Sequence, residues 1–112
     1  MAKVKQSEKR ENPANNFTDA HILDALYEII VSRKGGDPEK SYTAKMFARG
    51  TAKIAQKVGE ESVETLIEAM RGDKQLLAEE SADLLYHLLL LWADQGVSPD
   101  DIWSVLERRR NG

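Results

Sequence analysis

The 112-residue chain has no cysteine, which excludes a disulfide framework and any thiolate-ligated metal site. With only two histidines as well, a zinc-finger type of site is not expected. Charge of one sign is also lacking. Sixteen basic residues against 19 acidic ones leave a net charge of −3, which gives no general electrostatic drive toward nucleic acid. The longest apolar run, Leu84 to Ala93, is too short to span a bilayer and contains His87. Residues 1–16 (MAKVKQSEKRENPANN) have no apolar core of the kind a signal peptide needs. A soluble, cytoplasmic protein is expected, with neither a membrane nor a nucleic acid as partner. Neither G-x-x-x-x-G-K-[ST] nor G-x-G-x-x-G occurs, so phosphate binding of those two kinds is excluded. No segment sustains period-2 alternation, which leaves an all-α class.

At this length one domain is expected, with a single core and little to spare. Residues 1–16 are polar and of mixed charge, and read as a disordered tail ahead of a domain over residues 17–112. Thr18 is a possible cap for a first helix, in which Ile22, Leu26, Ile29 and Ile30 recur at helical spacing to about Lys34. Gly35-Gly36 stops it. Ser41-Tyr42-Thr43 opens a second helix, which Gly50 interrupts, since glycine costs about 1 kcal/mol relative to alanine in a helix interior. The pattern resumes from Thr51 to Arg71 through Ile54, Val58, Val63, Leu66, Ile67 and Met70. Gly72 and Asp73 make a reversal, and the next helix runs to about Gln95 and stops at Gly96. Ser98-Pro99-Asp100-Asp101 then combines a capping serine, proline at the first helical position and acids in the first turn, ahead of a last helix. The expected architecture is a bundle of four to five helices around a central antiparallel hairpin. Leu84 to Trp92 reads LLYHLLLLW, apolar around the whole circumference. A chain this short can hardly enclose such a helix alone, so dimerisation or higher homo-oligomerisation is expected to complete its burial. The alternative is a monomer with an exposed apolar stripe.

What the chain does have is four acids placed symmetrically. Glu61 and Asp83 each lie 11 residues from Gly72, and Glu64 and Glu80 each lie eight from it. If the flanking helices fold back at Gly72, Glu64 comes level with Glu80 and Glu61 with Asp83. Residues three apart share a helix face, so all four carboxylates converge. The acids lie in line with apolar neighbours (Ile54, Val58 and Glu61; Leu76, Glu80, Asp83, His87 and Leu90) and need partners. Between Glu60 and Asp83 the only basic residues are Arg71 and Lys74, about 10 Å or more away at 1.5 Å per residue. Two carboxylates about 5 Å apart repel by roughly 3 kcal/mol at an effective dielectric of about 20. Four such charges on a square reach on the order of 15–20 kcal/mol, more than a typical domain's stability of about 5–15 kcal/mol. The acids must therefore splay into water, share protons or hold cations, and cations are the favoured reading. An all-oxygen ligand set suits Mg²⁺, with Mn²⁺ possible. Glu60 is an additional acid beside the set, and His87 is read as a core histidine. Lys53 and Lys57, one turn apart just upstream, are placed to meet phosphate. From spacing alone, solvation of these lysines or pairing with Glu60 and Glu61 is the favoured reading. The Ser41-Tyr42-Thr43 hydroxyls are further candidate donors near a ligand.

KVGEESVE (Lys57–Glu64) and EESADLLYHLLLL (Glu79–Leu91) together resemble the phosphoribosyl-ATP pyrophosphatase family of histidine biosynthesis. SYTAKMFARGTAKIAQKVGEE and the first-helix LDALYEIIVSRK share that likeness, which covers about Phe17 to Arg110. EExxE followed by ExxD belongs more broadly to the MazG-like all-α nucleoside triphosphate pyrophosphatases. Ser41-Tyr42-Thr43, Lys53, Lys57 and DLLYH narrow the likeness to the histidine-pathway branch. The resemblance implies a Mg²⁺-dependent hydrolase that cuts the α–β phosphoanhydride of phosphoribosyl-ATP, a small-molecule nucleotide substrate. Glu61, Glu64, Glu80 and Asp83 would be its metal ligands, with Glu61 or Glu64 also the catalytic proton acceptor. Lys53 and Lys57 would contact phosphate, and Glu60 would be an acid of the same motif. It further implies a helical oligomer and, for want of length and cysteine for a fused cyclohydrolase, the stand-alone form. Two other readings remain open: a house-cleaning pyrophosphatase of the same superfamily, and a non-catalytic helical oligomerisation module.

Overall fold

The computed structural model describes residues 19–112, so the expected tail and the Thr18 cap lie outside the described residues. Five helices follow in order: α1 (His21–Ser32), α2 (Tyr42–Arg49), α3 (Thr51–Arg71), α4 (Lys74–Gln95) and α5 (Pro99–Arg109). No strand occurs among the described residues, and the protein is all-α.

Local chemistry sets the boundaries. Ala20 is the N-cap residue of α1 and makes no side-chain cap bond; the Asp19 carboxylate instead accepts the His21 N–H at 3.0 Å. Helix α1 ends at Ser32, two residues short of the expected Lys34. Ser41 caps α2 by accepting the Ala44 N–H at 3.1 Å. Gly50, at φ 97°, separates α2 from α3 as the sequence predicts. At the hairpin Gly72 adopts φ 79°, a left-handed conformation that costs other residues about 1–2 kcal/mol. Its N–H and that of Asp73 both reach back to the Glu68 carbonyl, at 3.1 and 3.3 Å. Asp73 then starts α4 by accepting the Leu76 N–H at 2.9 Å. Ser98 and Asp101 form a reciprocal capping box on α5, with Pro99 in its first turn.

Helices α3 and α4 pack along their length as an antiparallel hairpin. At the open end the Thr51 hydroxyl donates to the Asp94 carboxylate at 2.6 Å, and these two residues are nearly equidistant from Gly72. Helix α1 lies against α4 and also meets α5: the Tyr27 hydroxyl donates to the Val97 carbonyl in the α4–α5 loop at 2.8 Å, and the Trp103 indole of α5 donates to Asp24 at 3.3 Å. The core contains Ile30, Met46, Ile54, Leu89, Leu90 and Ala93.

Two apolar segments remain partly exposed, the one in α4 as the sequence leads one to expect. In α4, His87, Leu89 and Leu90 are buried, but Leu85 remains 42% exposed, so this chain alone does not enclose the helix. In α3 the apolar pattern is buried at Ile54 and then turns outward: Val63 is 55% exposed, Leu66 64%, Ile67 46% and Met70 87%. At 100° per residue those four fall on the side of α3 opposite Glu61. The C-terminal half of α3 is therefore inverted, with carboxylates toward α4 and hydrocarbon toward solvent.

Candidate functional site

That inversion creates the site. One carboxylate oxygen from each of Glu61, Glu64 and Glu80 lies within 4.8 Å of the other two. Glu61 and Glu64 project from adjacent turns of α3, and Glu80 meets them from α4 at the level that the Gly72 reversal dictates. Glu61 is buried, Glu80 half-buried and Glu64 exposed, so the cluster opens to solvent on one side. One oxygen of Glu61 and one of Glu80 are buried with no hydrogen-bond donor among the described residues other than a proton shared within the cluster. Buried carboxylate oxygens without other donors, grouped at this separation, suit a hard divalent cation.

Without a cation the cluster holds a proton more tightly than a free carboxyl does. The Glu80 carboxyl is pushed up to about 7, first by sharing a hydrogen bond with Glu64, then by burial and by the charges of Glu64 and Glu61. The carboxylate repulsion that the sequence implies is thus relieved here by a shared proton.

Asp83 does not join the three. Its side chain is exposed, while its carbonyl accepts the His87 Nδ1–H at 2.8 Å. Its charge is felt instead by Tyr42, whose phenol is pushed up by burial and by Tyr86, Glu61 and Asp83, against the opposing pull of Lys57. The predicted four-acid square is therefore a triad with a fourth acid at its rim.

The basic side also takes a definite form. Lys57 lies 3.2 Å from Glu60 and 3.5 Å from Glu61, the pairing that its spacing allows, so the cluster has a counter-charge one turn upstream. Its ammonium is pushed up, chiefly by the hydrogen bond to Glu60. Glu60, exposed on the outer rim, is held low by hydrogen bonds from Gln56 and Lys57. Lys53, half-buried one turn back, forms no ion pair among the described residues.

His87 is a satisfied core histidine. Because the Asp83 carbonyl can only accept, Nδ1 carries the proton, and in the neutral ring Nε2 accepts from the Tyr42 hydroxyl at 2.9 Å. Thr43 and Tyr86 share a short hydroxyl contact beside them, and the Tyr42, Tyr86 and His87 rings pack together. Of the hydroxyls expected as ligand donors, Thr43 is engaged with Tyr86 and Tyr42 with His87, while Ser41 accepts as a cap and keeps its own proton to donate. The Tyr42–His87 pair spans 45 residues and has no local sequence signal. Glu68 was also not singled out: it lies one turn beyond Glu64, with an oxygen buried 3.7 Å from Arg71, too long for a hydrogen bond. Its four-residue step from Glu64 was the available signal.

The family model for phosphoribosyl-ATP pyrophosphohydrolase matches residues 23–110, which include the whole site. The chain belongs to this family. It is similar to the phosphoribosyl-ATP pyrophosphatase of Azospirillum brasilense, at 62% identity over 96 residues covering 86% of each chain. The phosphoribosyl-ATP pyrophosphatase of Paramagnetospirillum magneticum is also 62% identical, over 81% of this chain and 84% of that one. The histidine biosynthesis bifunctional protein HisIE of Photobacterium profundum is 50% identical over 92% of this chain but only 47% of its own length. As a phosphoribosyl-ATP pyrophosphohydrolase family member the chain is a hydrolase, and among the described residues no helix is long and apolar enough to cross a membrane.

Proposed function

We propose that the protein hydrolyses the α–β phosphoanhydride of phosphoribosyl-ATP, releasing pyrophosphate and leaving phosphoribosyl-AMP, in a Mg²⁺- or Mn²⁺-dependent reaction. The observation that carries this reading is the convergence of Glu61, Glu64 and Glu80, with buried oxygens that have no donor outside the cluster, in a chain of this family. Those three residues would hold the cation, with Asp83 reaching it from the rim. When bound, the cation supplies charge neutralisation on the departing pyrophosphate and acidifies water.

The chain's own groups account for the rest. Glu61 or Glu64 accepts the proton of the attacking water as its oxygen bonds to the α-phosphorus and the bond to the β-phosphate breaks. Glu80 gives up its shared proton when the cation enters, since ligands must be deprotonated. Lys57, released from Glu60 and Glu61, and the unpaired Lys53 neutralise phosphate oxygens that the cation does not reach.

A second copy of the chain would cover the outward face of α3. Val63, Leu66, Ile67 and Met70 are more exposed than a stable monomer favours, and Leu85 on α4 adds to the exposed apolar surface.

The test is pyrophosphate release with Mg²⁺ from phosphoribosyl-ATP, set against a panel of ordinary and modified nucleoside triphosphates. The expected result is a strong preference for phosphoribosyl-ATP. A preference for the panel would support the house-cleaning reading instead, and no turnover of any triphosphate would support a non-catalytic module.

A further inference from the structure

A second cluster of cations lies outside the acid site, where the α1–α2 loop meets the start of α2. A cleft of about 500 Å³ there is lined by charged Arg33, Asp37 and Lys40 together with Ser32, Gly36 and Ser41. Its size is within the usual range for small-ligand sites, about 300–1,000 Å³. Neither Arg33 nor Lys40 forms an ion pair among the described residues. The Asp37 carboxylate accepts the Glu39 N–H at 2.9 Å and keeps its charge, so the lining carries two positive charges against one negative. Gly36 keeps the cleft open: a Cβ there would lie 3.0 Å from the Arg33 carbonyl and 3.6 Å from the Ala44 methyl. Ser41 is the N-cap of α2, so the positive end of that helix adds to the same field.

The chain ties this cleft to the acid site through one residue. Tyr42 follows Ser41, and its hydroxyl is fixed on His87, which is itself anchored to the backbone of Asp83. The Lys57, Glu61 and Asp83 charges all act on that hydroxyl. Phosphoribosyl-ATP carries anionic groups at two ends: the triphosphate, and the 5-phosphate of the ribose added to the base. Ordinary ATP has only the first.

We infer that the Arg33–Lys40–Ser41 cleft binds the ribosyl 5-phosphate of the substrate and so sets the preference for phosphoribosyl-ATP over ordinary triphosphates. This rests on the function proposed above and assigns the other half of the same substrate. Arg33 offers the planar fork suited to a phosphate, Lys40 a second positive charge, and Ser41 a hydroxyl beside it.

The experiment compares the unmodified protein with the double variant Arg33→Ala/Lys40→Ala, whose truncated side chains are both exposed. The KM for phosphoribosyl-ATP is expected to rise at least tenfold with kcat within about twofold. The inhibition constant of product pyrophosphate, which reports the acid site alone, should stay within about twofold. The exchange variant Arg33→Lys/Lys40→Arg, which keeps both charges, should restore most of the KM. A KM within twofold of the unmodified protein, or a parallel rise in the pyrophosphate constant, would overturn the inference. If the unmodified protein releases no pyrophosphate from phosphoribosyl-ATP, the underlying function fails, and this inference with it.

Discussion

Glu80 holds its proton up to about pH 7 because the Glu64 carboxylate shares it. The folded state therefore binds more protons than the unfolded chain between the ordinary carboxyl value of 4.5 and about 7. Glu80's contribution to stability is fully present below pH 4.5 and is lost as pH rises through about 7. In chelator, the melting temperature of the native chain should fall across that window more than that of Glu80→Gln, whose neutral amide does not titrate. Identical pH profiles for the two would contradict the shared proton. The same coupling makes Mg²⁺ affinity rise with pH through the window, since the cation displaces the proton. Tyr42 provides a second test at this scale. Tyr42→Phe leaves the Nε2 of buried His87 without its donor, and such a loss costs about 1–3 kcal/mol, measurable by urea unfolding. An unchanged midpoint would mean that the bond adds nothing.

At the scale of elements, the hairpin brings the carboxylates together, and its chemistry is local. Gly72 supplies the left-handed residue and Asp73 the cap. Asp73→Ala should lower stability by about 1 kcal/mol while leaving kcat at saturating Mg²⁺ nearly unchanged. A large loss of activity at unchanged stability would place Asp73 in the chemistry instead. This is also why so much was legible from sequence: caps, stop glycines and helical periods act within a few residues, and the Gly72 mirror fixes Glu64 opposite Glu80. Asp83 was not legible, because sharing a face does not fix which way a side chain turns, and its exposed side chain does not join the other three. The polar cluster of Tyr42, Thr43, Tyr86 and His87 joins α2 to α4 across more than 40 residues, and no spacing rule reaches that far. The outward face of α3 was visible as a helical apolar pattern. Which neighbour it served was not, since periodicity marks a stripe and not its partner.

At the scale of the molecule, α3 presents acids inward and hydrocarbon outward, the reverse of a surface helix in a self-sufficient monomer. Core residues such as Ile30, Ile54, Leu89 and Leu90 are buried within the chain, while Leu66 and Met70 are not. Sedimentation of the unmodified protein should show a dimer or larger homo-oligomer at micromolar concentration, and Leu66→Lys/Met70→Lys should shift it to monomer. A monomeric unmodified protein would contradict the proposed covering of this face.

The central claim is that Glu61, Glu64 and Glu80 form a divalent-cation site. Its most direct test is the melting temperature at pH 8 in millimolar Mg²⁺ and in chelator, for the unmodified chain, Glu61→Ala and Glu80→Ala. Binding to the folded state alone raises stability by mass action, about 2.7 kcal/mol at a hundred times the Kd. The account predicts a rise of several degrees with Mg²⁺ in the unmodified chain and none in either variant. The same melting temperature with and without Mg²⁺ in the unmodified chain, or an equal rise in all three proteins, would contradict it.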